Sequence, residues 1–206
     1  MSDTTFVSDI AFTPTVKAIQ ARKGSRGAYA NMEENGGWSS AITGDVAVFI
    51  AQQRSAFLAT ANAAGQPYIQ HRGGPPGFLR VLDEHTIAFA DFRGNRQYIT
   101  AGNLAENPKA YLFLIDYGQR RRLKIWGTAR VVEDDPALMA ALTQADYPAK
   151  VEQAIVFRVE AWDRNCPQHI PQRFEAADVA AALAERDARI AALESEVAAL
   201  RNVSSS

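Results

Sequence analysis

Three regimes of hydrophobic patterning divide the chain. From residue 14 to 53 the apolar positions recur at helical spacing between glycine-rich breaks. They predict helices over 14–22 and over 26–34, the second closed by Asn35-Gly36-Gly37. A third helix, capped by Thr43 or Asp45, gathers Val46, Phe49 and Ile50 on one face. From residue 55 to 162 short apolar or alternating runs predict strands over 57–61, 67–70, 78–82, 86–90, 110–116, 123–132 and 154–161. Asn62-Ala63-Ala64-Gly65 and Asp83-Glu84-His85 read as turns, 95–103 as a short helix, and Asp134-Asp135-Pro136 as the start of another. Six or seven antiparallel strands with small helices between them favour a closed sheet, since closure removes exposed edges. The expected fold is mainly β, a barrel with peripheral helices.

The third regime, 176–201, contains no glycine or proline and is rich in Ala, Glu, Arg and Leu. With Ile190 and Val197 at heptad position a, Leu193 and Leu200 fall at d, and Leu183 and Val179 extend the seam. β-branched residues at a with leucine at d favour a parallel two-stranded coil, in which Arg189 faces Glu194 and Glu196 faces Arg201 of the partner. Arg186 at d breaks the seam, and packing of this helix on its own domain is the alternative. The boundaries expected from these shifts are a helical lead-in over 1–53, a barrel over 54–174 and a heptad helix with its tail over 175–206.

Composition adds limits more than content. The 206 residues carry a formal net charge of −1, which argues against a nucleic-acid binder driven by bulk charge. Cys166 is the single cysteine, so neither an internal disulfide nor a multi-cysteine metal site is expected, and a reducing cytoplasm is the simplest location. The first eleven residues do not read as a signal peptide, and no apolar run is long enough to cross a bilayer. The histidines at 71, 85 and 169 lack metal-site spacing.

Candidate chemistry concentrates between Gln70 and Gln97. Gln70-His71-Arg72-Gly73-Gly74 joins an imidazole and a guanidinium to a glycine pair whose N–H groups suit an anion, although Gly-Gly-Pro-Pro-Gly also reads as a rigid loop. Asp91-Phe92-Arg93-Gly94-Asn95-Arg96-Gln97 follows a strand and leads into a helix, whose N-terminus favours phosphate. Arg120-Arg121-Arg122 opens the next long strand, or sits solvated on the surface. His85 is expected in solvent, and Tyr98, Tyr111, Phe113 and Phe157 in the core. Tyr29 and Trp38 either cover a ligand or pack. Cys166 and His169 show no context for a nucleophilic pair and are expected to line a pocket or a dimer contact.

These blocks, in their order and spacing, resemble the pyridoxamine 5'-phosphate oxidase-like proteins, a superfamily of flavin-binding split barrels. The carriers are Phe57-Leu58-Ala59-Thr60-Ala61 with Gly65-Gln66-Pro67, then Phe89 to Gln97, Asn103 to Ala110 and Leu123 to Ala129, over about residues 52–174. The resemblance implies a homodimer with flavin mononucleotide (FMN) between subunits. It places His71 or Arg72 at the phosphate, with Arg96 as the main ligand and Gln97 standing where the family has lysine. It sets Arg122 near the flavin ring, and Trp162 and Arg173 against the partner subunit's cofactor. The oxidases' substrate-binding segment has no counterpart in the short stretch 143–150, and their Arg-Leu-His-Asp-Arg signature is replaced by Gln168-His169-Ile170-Pro171-Gln172-Arg173. Pyridoxamine phosphate oxidation is therefore not expected. A flavin-dependent oxidoreductase with an unidentified small substrate is the leading expectation. A non-catalytic flavin module, or a split barrel holding deazaflavin or haem, is the alternative.

Overall fold

A computed structural model describes residues 5–165 and 167–203. Cys166, and with it any reading of a thiol, lies outside the described residues. The lead-in forms α1 (Pro14–Arg22), α2 (Arg26–Glu34) and α3 (Gly44–Ala51). The strands are β1 (Ser55–Ala61), β2 (Pro67–Gly73), β3 (Arg80–Asp83), β4 (Thr86–Phe92), β5 (Lys109–Asp116), β6 (Arg121–Val132) and β7 (Val151–Asn165). Between them lie α4 (Ile99–Glu106) and α5 (Pro136–Leu142), and α6 (Ala176–Val203) follows. The chain divides into two units, Met1–Asp116 with Arg121–Pro167, and Tyr117–Arg120 with Gln168–Ser206.

Local chemistry explains the element ends. The Thr13 hydroxyl accepts the Val16 N–H at 3.3 Å at the start of α1, and the Asp135 carboxylate accepts the Leu138 N–H at 2.9 Å ahead of Pro136 in α5. Thr43 precedes α3 but turns its hydroxyl to the Asp45 carboxylate instead of capping. The β1–β2 hairpin turns at Gly65 with φ of 84°, where the Gly65 N–H reaches the Asn62 carbonyl at 2.9 Å.

All seven strands pair antiparallel in the order β2-β1-β5-β6-β7-β4-β3. Strict alternation buries Ala56, Leu58 and Thr60 of β1, Leu112 and Leu114 of β5, and Leu123 and Ile125 of β6 on one side. The apolar members form one cluster with Ile87 and Phe89 of β4, Ile155 and Phe157 of β7, and Val46, Phe49 and Ile50 of α3. The sheet has curled around its core, and the ion pair between Arg72 at the end of β2 and Asp91 near the end of β4 links strands five places apart in the order. This is the split barrel, with peripheral helices. β4 is buried on both faces because Ala88 and Ala90 lie under α5 beside Leu142. β6 and β7 slip register at Trp126 and Gly127, where a Cβ on Gly127 would collide with the Arg158 carbonyl oxygen.

The lead-in packs on the outer face of β6. Trp38 stacks on Trp126 at 4.5 Å, with Phe12 5.0 Å from Trp38 and Tyr29 5.2 Å from Phe12. Tyr29 and Trp38 thus both pack, with Phe12 between them. His85 is half-buried instead of solvent-exposed, its Nδ1 2.8 Å from the Ser40 carbonyl. Of the four aromatics expected in the core only Phe157 is fully buried. Tyr111 and Phe113 occupy the outer face of β5 half-buried, and Tyr98 is exposed, because strand parity and a loop conformation put them there. In the second unit, Arg173 lies over the Tyr117 ring at 4.8 Å and Gln172 donates to the Gly118 carbonyl at 2.9 Å. No described helix is long and apolar enough to cross a membrane.

Candidate functional site

A polar cavity of about 290 Å³ opens where the ends of β2 and β4, the start of β7 and the first turn of α4 meet. Parity on β2 aims Tyr68, Gln70 and Arg72 into it, while Ile69 and His71 face the other way. Asp91 and Phe92 arrive from the end of β4, and the β4–β7 register sets Gln153 opposite Asp91. Glu152, the loop residues Gly94, Asn95, Arg96, Gln97 and Tyr98, and Ile99, Thr100 and Ala101 complete the wall.

A continuous network organises the floor. Asp91 takes Arg72 on one carboxylate oxygen and the Gln153 amide on the other at 2.7 Å. Gln70 Oε1 accepts from Arg72 at 2.9 Å and from the Thr100 hydroxyl at 2.8 Å. The Arg72 and Asp91 side chains are only 11% and 13% exposed, so each needs its partner. Yet the Arg72 Nε–H is buried with no acceptor, a donor left over in a site that can take an anion.

At the rim, Arg96 Nε donates to the Tyr98 hydroxyl at 2.9 Å, which donates to Glu152 at 2.9 Å. The Tyr98 hydrogen bond, with the Tyr98 and Glu152 charges behind it, holds the Arg96 guanidinium above its ordinary pKa. Arg96 and Tyr98 have φ of 61° and 54°, left-handed values uncommon for such residues. This backbone stops helix propagation, so α4 begins at Ile99, four residues after the expected start at Asn95. As a result Ile99, Thr100 and Ala101, whose N–H groups have no acceptor within the helix, border the cavity.

Seven of the twelve residues singled out from sequence meet here: Gln70, Arg72, Asp91, Phe92, Asn95, Arg96 and Gln97. His71 is separated from Arg72 by strand parity, exposed, 2.7 Å from the Ser55 hydroxyl and edge-on to Phe57. Gly73 ends β2 beside the His71 ring. Arg122 lines a second cavity of about 300 Å³ with Val46, Phe49 and Leu123, and its buried Nε has no hydrogen-bond partner. Trp162 packs on the barrel core, its indole N–H donating to the Ala41 carbonyl at 2.8 Å. Arg173 belongs to the second unit. Sequence reasoning missed Tyr68, Thr100, Glu152 and Gln153. Tyr68 was findable, two places before Gln70 on the same strand face, whereas Gln153 is set only by the pairing of β7 with β4.

The donors fit a phosphate ester. Arg96, Arg72 with its spare Nε–H, the side-chain amides of Asn95 and Gln97 and the first turn of α4 border one cavity, with Phe92 and Tyr68 as flanks. Among solved structures, HupZ of Group A Streptococcus is 18% identical, with 64% of this chain and 99% of that one covered and a TM-score of 0.49. An FMN-binding protein from Syntrophomonas wolfei is 12% identical, with 71% and 97% covered and a TM-score of 0.47. HutZ, the heme storage protein from Vibrio cholerae, is 18% identical, with 58% and 89% covered and a TM-score of 0.38. No curated protein matches the sequence. The family described as pyridoxamine 5'-phosphate oxidase matches residues 42–166, more than half of the chain and the whole of the barrel. The chain belongs to that family.

Proposed function

We propose that this protein binds FMN and acts as a flavin-dependent oxidoreductase on a small molecule other than pyridoxamine phosphate. The observation that carries the reading is a cavity that brings Arg72, whose buried Nε–H has no acceptor, together with Arg96 and the N-terminus of α4. Arg96 and the helix N–H groups take the phosphate, and Arg72, fixed by Asp91, orients it. The bound flavin supplies hydride or electron transfer, and the protein supplies orientation and exclusion of water.

At about 290 Å³ the cavity stands at the lower end of ligand cavities, roughly 300–1,000 Å³, so it suits the phosphate and ribityl end of the cofactor. A second copy of the chain covers the remainder in this reading, bringing Arg122 and Trp162 to the ring. The short connection between α5 and β7, residues 143–150, leaves no segment for a second phosphorylated substrate. A non-catalytic flavin module is the second reading. It is favoured by the engagement of both carboxylates of the cavity, Asp91 with Arg72 and Gln153, and Glu152 with Tyr98.

Titration of the purified protein with FMN and with riboflavin, followed by flavin fluorescence, tests the cofactor. FMN binds, and Arg96→Gln weakens FMN by more than tenfold while leaving riboflavin nearly unchanged. Absence of flavin binding overturns the proposal. Reoxidation of the reduced complex no faster than that of free flavin, with oxygen or any acceptor tried, selects the module.

A further inference from the structure

The 28-residue helix α6 is exposed along its length, including its apolar stripe: Val179, Leu183, Ile190, Leu193, Val197 and Leu200 are each at least 41% exposed. A helix this rich in charge has no reason to keep four aliphatic side chains in strict a/d order from Ile190 to Leu200 unless something covers them. We propose that the occupant is α6 of a second copy, in parallel and in register, as a short two-stranded coiled coil.

Residue type and charge both single out this occupant. β-branched residues at a and leucine at d pack best in a parallel dimer. In register, Arg189 of one helix meets Glu194 of the other, and Glu196 meets Arg201, each pair formed twice by symmetry. An antiparallel pairing that matches the apolar layers, Ile190 with Leu200 and Leu193 with Val197, sets Glu194 against Glu194 and Glu196 against Glu196 of the other helix, two like-charge contacts against which it gains only Asp187 with Arg201. The polar Arg186 at d marks the N-terminal limit of the well-packed layers, so the coil is two heptads long. That is too short to hold two chains alone, and it adds to a dimer formed elsewhere in the molecule.

Full-length protein carrying Cys166→Ser and Leu193→Cys tests this, with Ala192→Cys in the same background as the control on the outer face of the helix. In a parallel coil in register, the thiol introduced by Leu193→Cys faces its own copy across the seam. Under mild oxidation Leu193→Cys forms the disulfide dimer at least tenfold faster than Ala192→Cys, Arg189→Glu slows it, and Arg189→Glu with Glu194→Arg restores it. Equal rates at 192 and 193, no cross-link at 193, or indifference to the charge reversals overturns the proposal. At protein concentrations where the barrel dimer is fully formed, FMN affinity stays unchanged in the Arg189 and Glu194 variants, so this result stands apart from that of the flavin titration.

Discussion

Glu33 is the most constrained charge in the lead-in. Its side chain is 1% exposed, salt-bridged to Arg26, 3.9 Å from Lys17 and accepting from Ser8 at 2.9 Å. Its removal leaves the buried Ser8 hydroxyl and a partly exposed Arg26 guanidinium without their acceptor, so Glu33→Ala is expected to cost about 2 kcal/mol, read by denaturant unfolding. Tyr111 shows the opposite case, a neutral form protected by its surroundings. Burial pushes its phenol up to about 12, with the Asp163 carboxylate adding to the shift and Arg122 opposing it. An unfolded tyrosine ionises near pH ~10, so the native state holds the extra proton and stability falls as pH rises from there towards 12. Tyr111→Phe should flatten that alkaline decline in a pH series of melting temperatures.

Elements show which parts of the architecture were legible. Helices α1, α2 and α5 follow the sequence reading closely because Pro14, Asn35-Gly36 and Asp135-Pro136 are local signals. Strand existence was legible for the same reason, but β7 runs from Val151 to Asn165, well beyond the expected 154–161, since pairing with both β6 and β4 extends it. The loop before α4 was least legible: no local rule announces left-handed backbone at Arg96 and Tyr98. That loop offers a way to separate backbone from charge. Glycine adopts this conformation without steric penalty, so Arg96→Gly should leave the melting temperature unchanged or raise it by an amount equivalent to ~1 kcal/mol. If the guanidinium holds the phosphate, the same variant loses more than tenfold in FMN affinity. A loss of stability with affinity retained would show that Arg96 serves the loop and not the ligand. Gly127 gives the converse: Gly127→Ala drives a methyl into the Arg158 carbonyl at the bulge, and loss of the folded barrel by circular dichroism is expected.

At the scale of the whole molecule, the proposed phosphate site poses a problem of size. One copy of the barrel supplies a floor, a helix N-terminus and two guanidinium groups, but about 290 Å³ of space. Its remaining candidate contacts, Arg122 and Trp162, lie outside that cavity. The outer face of β1, β2 and β5 meanwhile presents Phe57, Ile69, His71 and Phe113, among the described residues without a covering layer like the one Trp38 gives β6, and Ile69 is 62% exposed. If a second copy covers that face and completes the flavin site, cofactor binding and dimerisation are one linked equilibrium. Linkage then requires that FMN strengthen the dimer by the same factor by which dimerisation strengthens FMN binding. Sedimentation at a series of protein concentrations should show the dimer persisting to greater dilution with FMN than without. Ile69→Glu should weaken the dimer and FMN affinity together, although Ile69 faces away from the cavity. A variant that dissociates yet keeps its affinity would mean that one barrel holds the flavin unaided, and that the small cavity opens on binding.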